Sequence, residues 1–258
     1  MIANNVMTKQ PAGEVALPHR ATVSSPQIYA RIAGWLYLSM IPLGIMGIMY
    51  VPLNMVVAGD AAATVRNIVN AEGLFRLSIV SAFVVQLVNL ILVLVLYRLL
   101  KPASQSWAAL MVIFFLVSIP IAFLNELNNF AVLALAHGVD YLRIFSMEEQ
   151  QTLALFFLEL HEKGVLIAGI FWGLWLFPMG YLVFKSGFLP RILGILLMIG
   201  CFGYLVDSFA AFLFPDAGIT IAQFTFIGEV TLPLWLVTRG VNVAQWRERA
   251  LAAQDYTA

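Results

Sequence analysis

Five carboxylates stand inside long apolar runs of this chain: Glu126, Glu159, Glu162, Asp207 and Glu229. A charged group in hydrocarbon costs about 2.5–3.5 kcal/mol even on the lenient insertion scale, so each must find a partner, water or a bound cation. Such groups can take up protons, hold a cation, serve as a general acid and base, or bond one helix to the next. Helical spacing sets which of them can meet. Glu159, Glu162 and Lys163 fall on one face, where an ammonium would partly neutralise a carboxylate pair, whereas His161 points well away from Glu159. Asn125, Glu126, Asn128 and Asn129 spread over about half a helix circumference, a face that must turn inward. Arg76 enters another apolar run near its start, and Gln86 and Asn89 lie near the middle of that run.

The sharper expectation is an outward-open polar pocket lined by Glu126, Glu159, Glu162, Asp207 and Glu229. Asn129 and His161 are further candidates, and Arg76 and Lys163 are the counter-charges. The plainer expectation is interhelical bonding alone. In one arrangement Asp207 pairs with Arg76, which would remove both from any chemistry. Pro233, four residues after Glu229, could leave a free backbone carbonyl beside that acid.

Positioning these groups requires helices in lipid. The chain has 258 residues, of which 62% are hydrophobic and 11% charged, with zero formal net charge. A soluble domain carries about 25% charged residues, so this composition is suited to a bilayer. The fold class read from it is all-α, a polytopic helical bundle of about six transmembrane helices. The expected spans are about 28–57, 74–100, 106–136, 153–184, 190–214 and 219–241. Residues 1–25 read as a flexible cytoplasmic tail, 26–243 as the membrane domain and 244–258 as a second cytoplasmic tail.

Punctuation supports these limits. Ser25-Pro26 opens the first span, Lys101-Pro102 stops the second and Trp107 marks an interface. Ser146 with Glu149 forms a capping box whose helix runs into the fourth span, which Ser186-Gly187 and Pro190 close. Pro215-Asp216-Ala217-Gly218 is a tight turn. Asp60 can cap a short amphipathic helix with Val65, Ile68 and Val69 on one side. Gly169, Gly173 and Gly180, like Gly200 and Gly203, read as faces for close helix packing.

Lys9, Arg20, Arg31, Arg98, Lys101, Lys185, Arg191, Arg239, Arg247 and Arg249 fall at one side of this topology, against Arg66, Arg76 and Arg143 at the other. The bias places both termini in the cytoplasm. On that count most of the acids lie in the outer half of the membrane. A short echo, Arg31-Ile32-x-Gly34 and Arg191-Ile192-x-Gly194, reads as interfacial Arg plus packing Gly rather than duplication.

Neutral charge without a basic cluster argues against nucleic acid. Three histidines, His19, His137 and His161, do not suit a multi-histidine zinc site, while the acids leave room for a carboxylate-bound divalent cation. No cofactor is identified. There is no Gly-x-Ser-x-Gly, phosphate loop or dinucleotide fingerprint, and the lone Cys201 sits within a span.

The runs Leu160-His161-x-x-Gly164, Gly180-Tyr181-Leu182-x-Phe184-x-Ser186-Gly187-Phe188-Leu189-Pro190-Arg191-x-Leu193-Gly194 and Gly203-Tyr204-Leu205-x-Asp207-Ser208-Phe209 carry a resemblance. With Glu72-Gly73-Leu74-Phe75-Arg76, Gly228-Glu229, Leu234-Trp235-Leu236 and Gly240-Val241, they resemble the bacterial membrane-protein family catalogued as domain of unknown function 4386. The resemblance implies a compact bundle of about six helices, a bacterial inner membrane and no assigned activity. Glu72, Arg76, His161, Asp207 and Glu229 coincide with family positions. Trp175 departs from the pattern, because family members often carry His there.

Three function classes follow. The first is a carrier or binding protein for a small solute, cation or amphiphile using the carboxylate-lined pocket. The second is a structural or regulatory subunit whose polar cluster only holds helices together. The third, disfavoured by the lack of nucleophile motifs, is an intramembrane enzyme using paired carboxylates. The expected partners are the lipid bilayer and a small-molecule ligand, with no protein partner specified.

Overall fold

The computed structural model describes residues 25–255, so the expected tail before Ser25 lies outside the described residues. These residues form a helical bundle without strands. Five helices are long and apolar enough to cross a membrane: Pro26–Asn54, Glu72–Leu100, Gln105–Ala136, Met147–Ser186 and Arg191–Leu213.

The first span is not one regular helix. Helix α1 (Pro26–Gly44) passes into a π-helical turn, Ile45–Met49, and then into α2 (Tyr50–Asn54). Pro42 and Pro52 bracket this turn, and each removes a backbone donor from the ladder. Ser81 compensates from the neighbouring helix by donating its Oγ–H to the Leu43 carbonyl at 2.9 Å. Gly47 lets the turn press on that neighbour, since a Cβ there would lie 2.7 Å from the Ala82 nitrogen.

Helix α3 (Ala61–Asn70) is the short amphipathic element, capped by Asp60, which accepts from the Ala63 amide at 2.8 Å. Val65 and Ile68 are buried, but Val69 is exposed, so the apolar stripe is narrower than the sequence reading. Helix α4 (Glu72–Leu100) stops before Lys101-Pro102, and α5 (Gln105–Ala136) returns. Helix α6 (Met147–Ser186) opens with the complete Ser146–Glu149 capping box and ends at Gly187 with φ +77°, a conformation in which glycine has no Cβ penalty.

At about 1.5 Å per residue, α5 and α6 are roughly 48 and 60 Å long, well beyond the ~30 Å hydrocarbon layer. They are antiparallel and pack together, and α3 lies against α6 at the end remote from Ser186. A second apolar cluster, including Val51, Ile68, Phe75, Val132 and Leu158, fills that end. The main core lies toward the other end, around Leu92, Leu96, Trp175, Met179 and Leu182.

Helix α7 (Arg191–Leu213) is followed by a 3-10 turn, Pro215–Ala217, and Gly218 with φ +57°. The sixth expected span, 219–241, is interrupted rather than continuous. It consists of α8 (Ala222–Thr225) and α9 (Ile227–Thr238), broken at Phe226. The start moves inward because both carboxylate oxygens of Asp207 accept from the amides of Ile221 and Ala222, and this fixes the helix entry.

Beyond it, residues read as a tail form α10 (Val243–Asp255). Trp246 anchors this helix by burying its ring and donating its indole N–H to the Leu99 carbonyl at 2.8 Å. Gln27 closes the same end, donating to the Arg239 carbonyl and accepting from the Val241 amide.

Glycine governs the α6–α7 crossing. A Cβ on Gly180 would lie 2.5 Å from the Gly194 carbonyl oxygen, and one on Gly173 would lie 2.8 Å from the Tyr204 Cβ. Gly169 is looser, meeting only the Ser208 Oγ at 3.4 Å. Gly180→Leu should therefore lower unfolding stability in detergent by about 1–3 kcal/mol through overpacking. Gly44→Leu, where nothing lies within 4 Å of the added carbon, should leave stability unchanged or raise it. Reversible unfolding followed by circular dichroism checks the pair.

Candidate functional site

The polar residues of α5 and α6 meet where these two helices cross near α4 and the π-turn. Successive turns of α5 bring Glu126 and Asn129 to the buried side, and Asn129 donates its amide to Glu126 Oε2 at 2.8 Å. The other carboxylate oxygen, Oε1, lies 3.1 Å from Nε2 of His161 on α6. All three side chains are buried. Next to Glu126 in sequence, Asn125 donates to the backbone carbonyl of His161 at 2.9 Å, and Asn128 donates back to the Asn125 side-chain oxygen at 3.0 Å. Gly164 is required beneath this bond, because any Cβ would collide with the Asn125 amide.

His161 borders two small cavities. The inner one, about 20 Å³, is bordered by Glu126, His161, Gln86, Trp172 and Ile48 of the π-turn. The outer one, about 10 Å³, is bordered by His161, Asn129, Glu162, Gly47 and Pro52. A water-sized guest needs about 10–15 Å³, so the inner cavity has room for one. Gln86 and Trp172 border it, and their buried Oε1 and Nε1 atoms have no hydrogen-bond partner among the described residues. Such orphaned groups cost about 1–3 kcal/mol each when left dry.

A second buried carboxylate, Glu229, lies on α9 toward the basic end. It accepts from the Tyr37 hydroxyl of α1 at 3.1 Å, and Tyr204 of α7 faces the same carboxyl. Its Oε1 is buried and makes no hydrogen bond of standard geometry among the described residues, with the Tyr204 hydroxyl the nearest donor named beside the carboxyl. Pro233 deprives the Glu229 backbone carbonyl of its usual helical donor, although α9 continues through it.

The structure distributes the remaining candidates elsewhere. Asp207 caps the α8 entry. Arg76 bonds Glu72 one turn away, and His137 lies 3.2 Å from the same Glu72 carboxylate, so the expected Arg76–Asp207 pair does not form. Glu159, Glu162 and Lys163 are exposed, and no ion pair joins them among the described residues. The five acids therefore do not share one pocket. The reason is rotational: turning His161 inward on α6 necessarily turns its neighbours Glu159, Glu162 and Lys163 outward, and only Glu162 touches a cavity rim.

Among the described residues no three His, Cys, Asp or Glu side chains converge as a metal site. The groups that sequence reasoning missed are Trp172, Tyr37 and Tyr204. The available signal was chemical, since each brings an N–H or O–H into a run otherwise read as packing bulk.

Residues 32–240 match the family model described as domain of unknown function DUF4386. The chain belongs to that family. This DUF4386 chain is also 31% identical over 173 residues to an uncharacterized protein of Archaeoglobus fulgidus, covering 65% of this chain and 86% of that relative. No solved structure matches the chain.

Separate Glu126→Gln and His161→Leu substitutions and their combination give a double-mutant cycle on the buried pair. A coupling of about 1–2 kcal/mol is expected, the upper range for hydrogen bonds between membrane helices. Steric-trap unfolding in bicelles measures it, and additive losses would mean the two side chains do not interact.

Proposed function

We propose that this DUF4386 chain is a multi-pass carrier or binding protein for a small solute. Its working centre is Glu126, His161 and Asn129, and it resides in the inner (cytoplasmic) membrane with both termini in the cytoplasm. The orientation is supported by Arg31, Arg98, Lys101, Lys185, Arg191 and Arg239, which flank the helix ends that Gln27 and Trp246 tie together.

One observation carries the functional reading: the buried carboxylate–imidazole pair borders a cavity that is also lined by Gln86 and Trp172, each with a buried polar atom unpartnered among the described residues. A cluster serving only to hold helices together would satisfy its members with one another. Here the pairing is incomplete, and what is missing has the size of a water molecule or a small polar group. A larger solute needs the site to open. The π-turn between Pro42 and Pro52 is the element able to yield, since its backbone ladder is already interrupted beside both cavities.

A second reading, a structural or regulatory subunit, draws on the private pairings of Asp207 with backbone amides and of Arg76 with Glu72. Proteoliposomes holding a luminal pH dye separate the two. Under an imposed pH gradient, a panel of small amines, amino acids and monovalent cations is added outside. A carrier dissipates the gradient with at least one solute faster than protein-free vesicles, and Glu126→Gln loses at least tenfold of that rate while eluting as a folded monodisperse protein. Identical traces for wild type, Glu126→Gln and empty vesicles across the panel would favour the subunit reading.

A further inference from the structure

The buried side-chain atoms without a partner among the described residues are Gln86 Oε1, Asn89 Oδ1, Trp172 Nε1 and Glu229 Oε1. They are not scattered. Gln86 and Trp172 border the inner cavity with Glu126 and His161. Asn89 lies one turn below Gln86 on α4, and Trp175 one turn below Trp172 on α6, each also buried. The Trp175 ring is 6.0 Å from that of Tyr37, whose hydroxyl bonds Glu229.

Along α4 and α6, Asn89 and Trp175 each lie about 4.5 Å nearer the basic end than Gln86 and Trp172, and Trp175 leads on to Tyr37 and Glu229.

We propose that these residues form a hydrated column that passes protons between the Glu126–His161 pair and Glu229, entered from the outside past Glu162. The inference rests on the carrier reading and specifies its coupling ion. Each orphaned atom is complementary to water: the Gln86, Asn89 and Glu229 oxygens accept, and the Trp172 indole donates. A water molecule offers both roles and fits the 20 Å³ cavity. Sodium would need several converging oxygens, and both Glu126 oxygens are already engaged by His161 and Asn129.

His161 borders both cavities, so its imidazole can take a proton from water in the outer one and release one to the inner. The Glu229 carboxylate then gains that proton on Oε1 to become a carboxylic acid, the pair is reprotonated from outside, and no electron moves. Facing Glu126 are His161 on α6 and, beyond the outer cavity, Glu162, while α1 and α4 present no charged group there. Facing Glu229 are Tyr37 and Tyr204. Asp207, one turn beyond Tyr204, is held by the α8 amides.

The experiment uses the full chain in proteoliposomes without any solute, so it can fail or succeed independently of transport. The carboxylic C=O stretch of Glu229, assigned by its loss in Glu229→Gln, is followed by infrared difference spectroscopy after a pH jump on the outer side. In wild type the band is expected to respond, and Gln86→Leu with Asn89→Leu should slow it at least tenfold while the His161 ring signal stays fast. Trp172→Phe, which removes only the indole donor, should slow it several-fold and covers the case in which the double variant fails to fold. An unchanged Glu229 response in Trp172→Phe and in the folded double variant would overturn the column, as would a wild-type band answering only to the inner pH. A responding band without gradient dissipation by any solute would keep the column and reject the carrier.

Discussion

A carboxylate in hydrocarbon has no water to turn to, and the contact between Glu126 and His161 is where this bundle answers that constraint. The 3.1 Å approach joins α5 to α6, the long antiparallel pair against which much of the molecule packs. It comes with one rotation of both helices: with His161 inside, Asn125 reaches the His161 carbonyl, a Cβ on Gly164 would displace the Asn125 amide, and Glu159 and Lys163 face outward. Hydrogen bonds between membrane helices are modest singly, about 0.6 kcal/mol on average. Here several share one crossing, and the apolar core below them supplies close packing.

The two ends of the molecule obey different rules. Toward the basic end, small residues bring backbones together at Gly180 and Gly194, and Gly34 packs against Pro233 and Val237. The polar groups at that end cap and tie elements, as Gln27 and Trp246 do. Toward the other end, helices longer than the hydrocarbon layer, the α3 cover and the π-turn leave small cavities around an ionisable pair. Regular packing gives rigidity toward the basic end, and the interrupted ladder lies beside the small cavities.

The helical class and the limits of most spans were legible from periodic apolar runs and their punctuation, because capping and chain-breaking are local events. Ser146 with Glu149, Asp60, Lys101-Pro102 and Gly187 each act within a few residues of themselves. The exceptions had distant causes. The sixth segment is shortened and broken because Asp207, on the preceding helix, holds its entry. The tail is helical because Trp246 finds the Leu99 carbonyl, 147 residues away in sequence.

For the site, the sequence alone determined that buried acids exist, that Glu126 shares a face with Asn129, and that His161 diverges from Glu159, since i,i+3 geometry belongs to any helix. Only the tertiary structure decided partners. Rotation about each helix axis is set by packing against neighbours, and it chose His161 for Glu126, Tyr37 for Glu229 and backbone amides for Asp207. Composition could show that charge must be neutralised in oil. Which helix supplies the neutralising group depends on where chains far apart in sequence come to lie, and no local pattern encodes that.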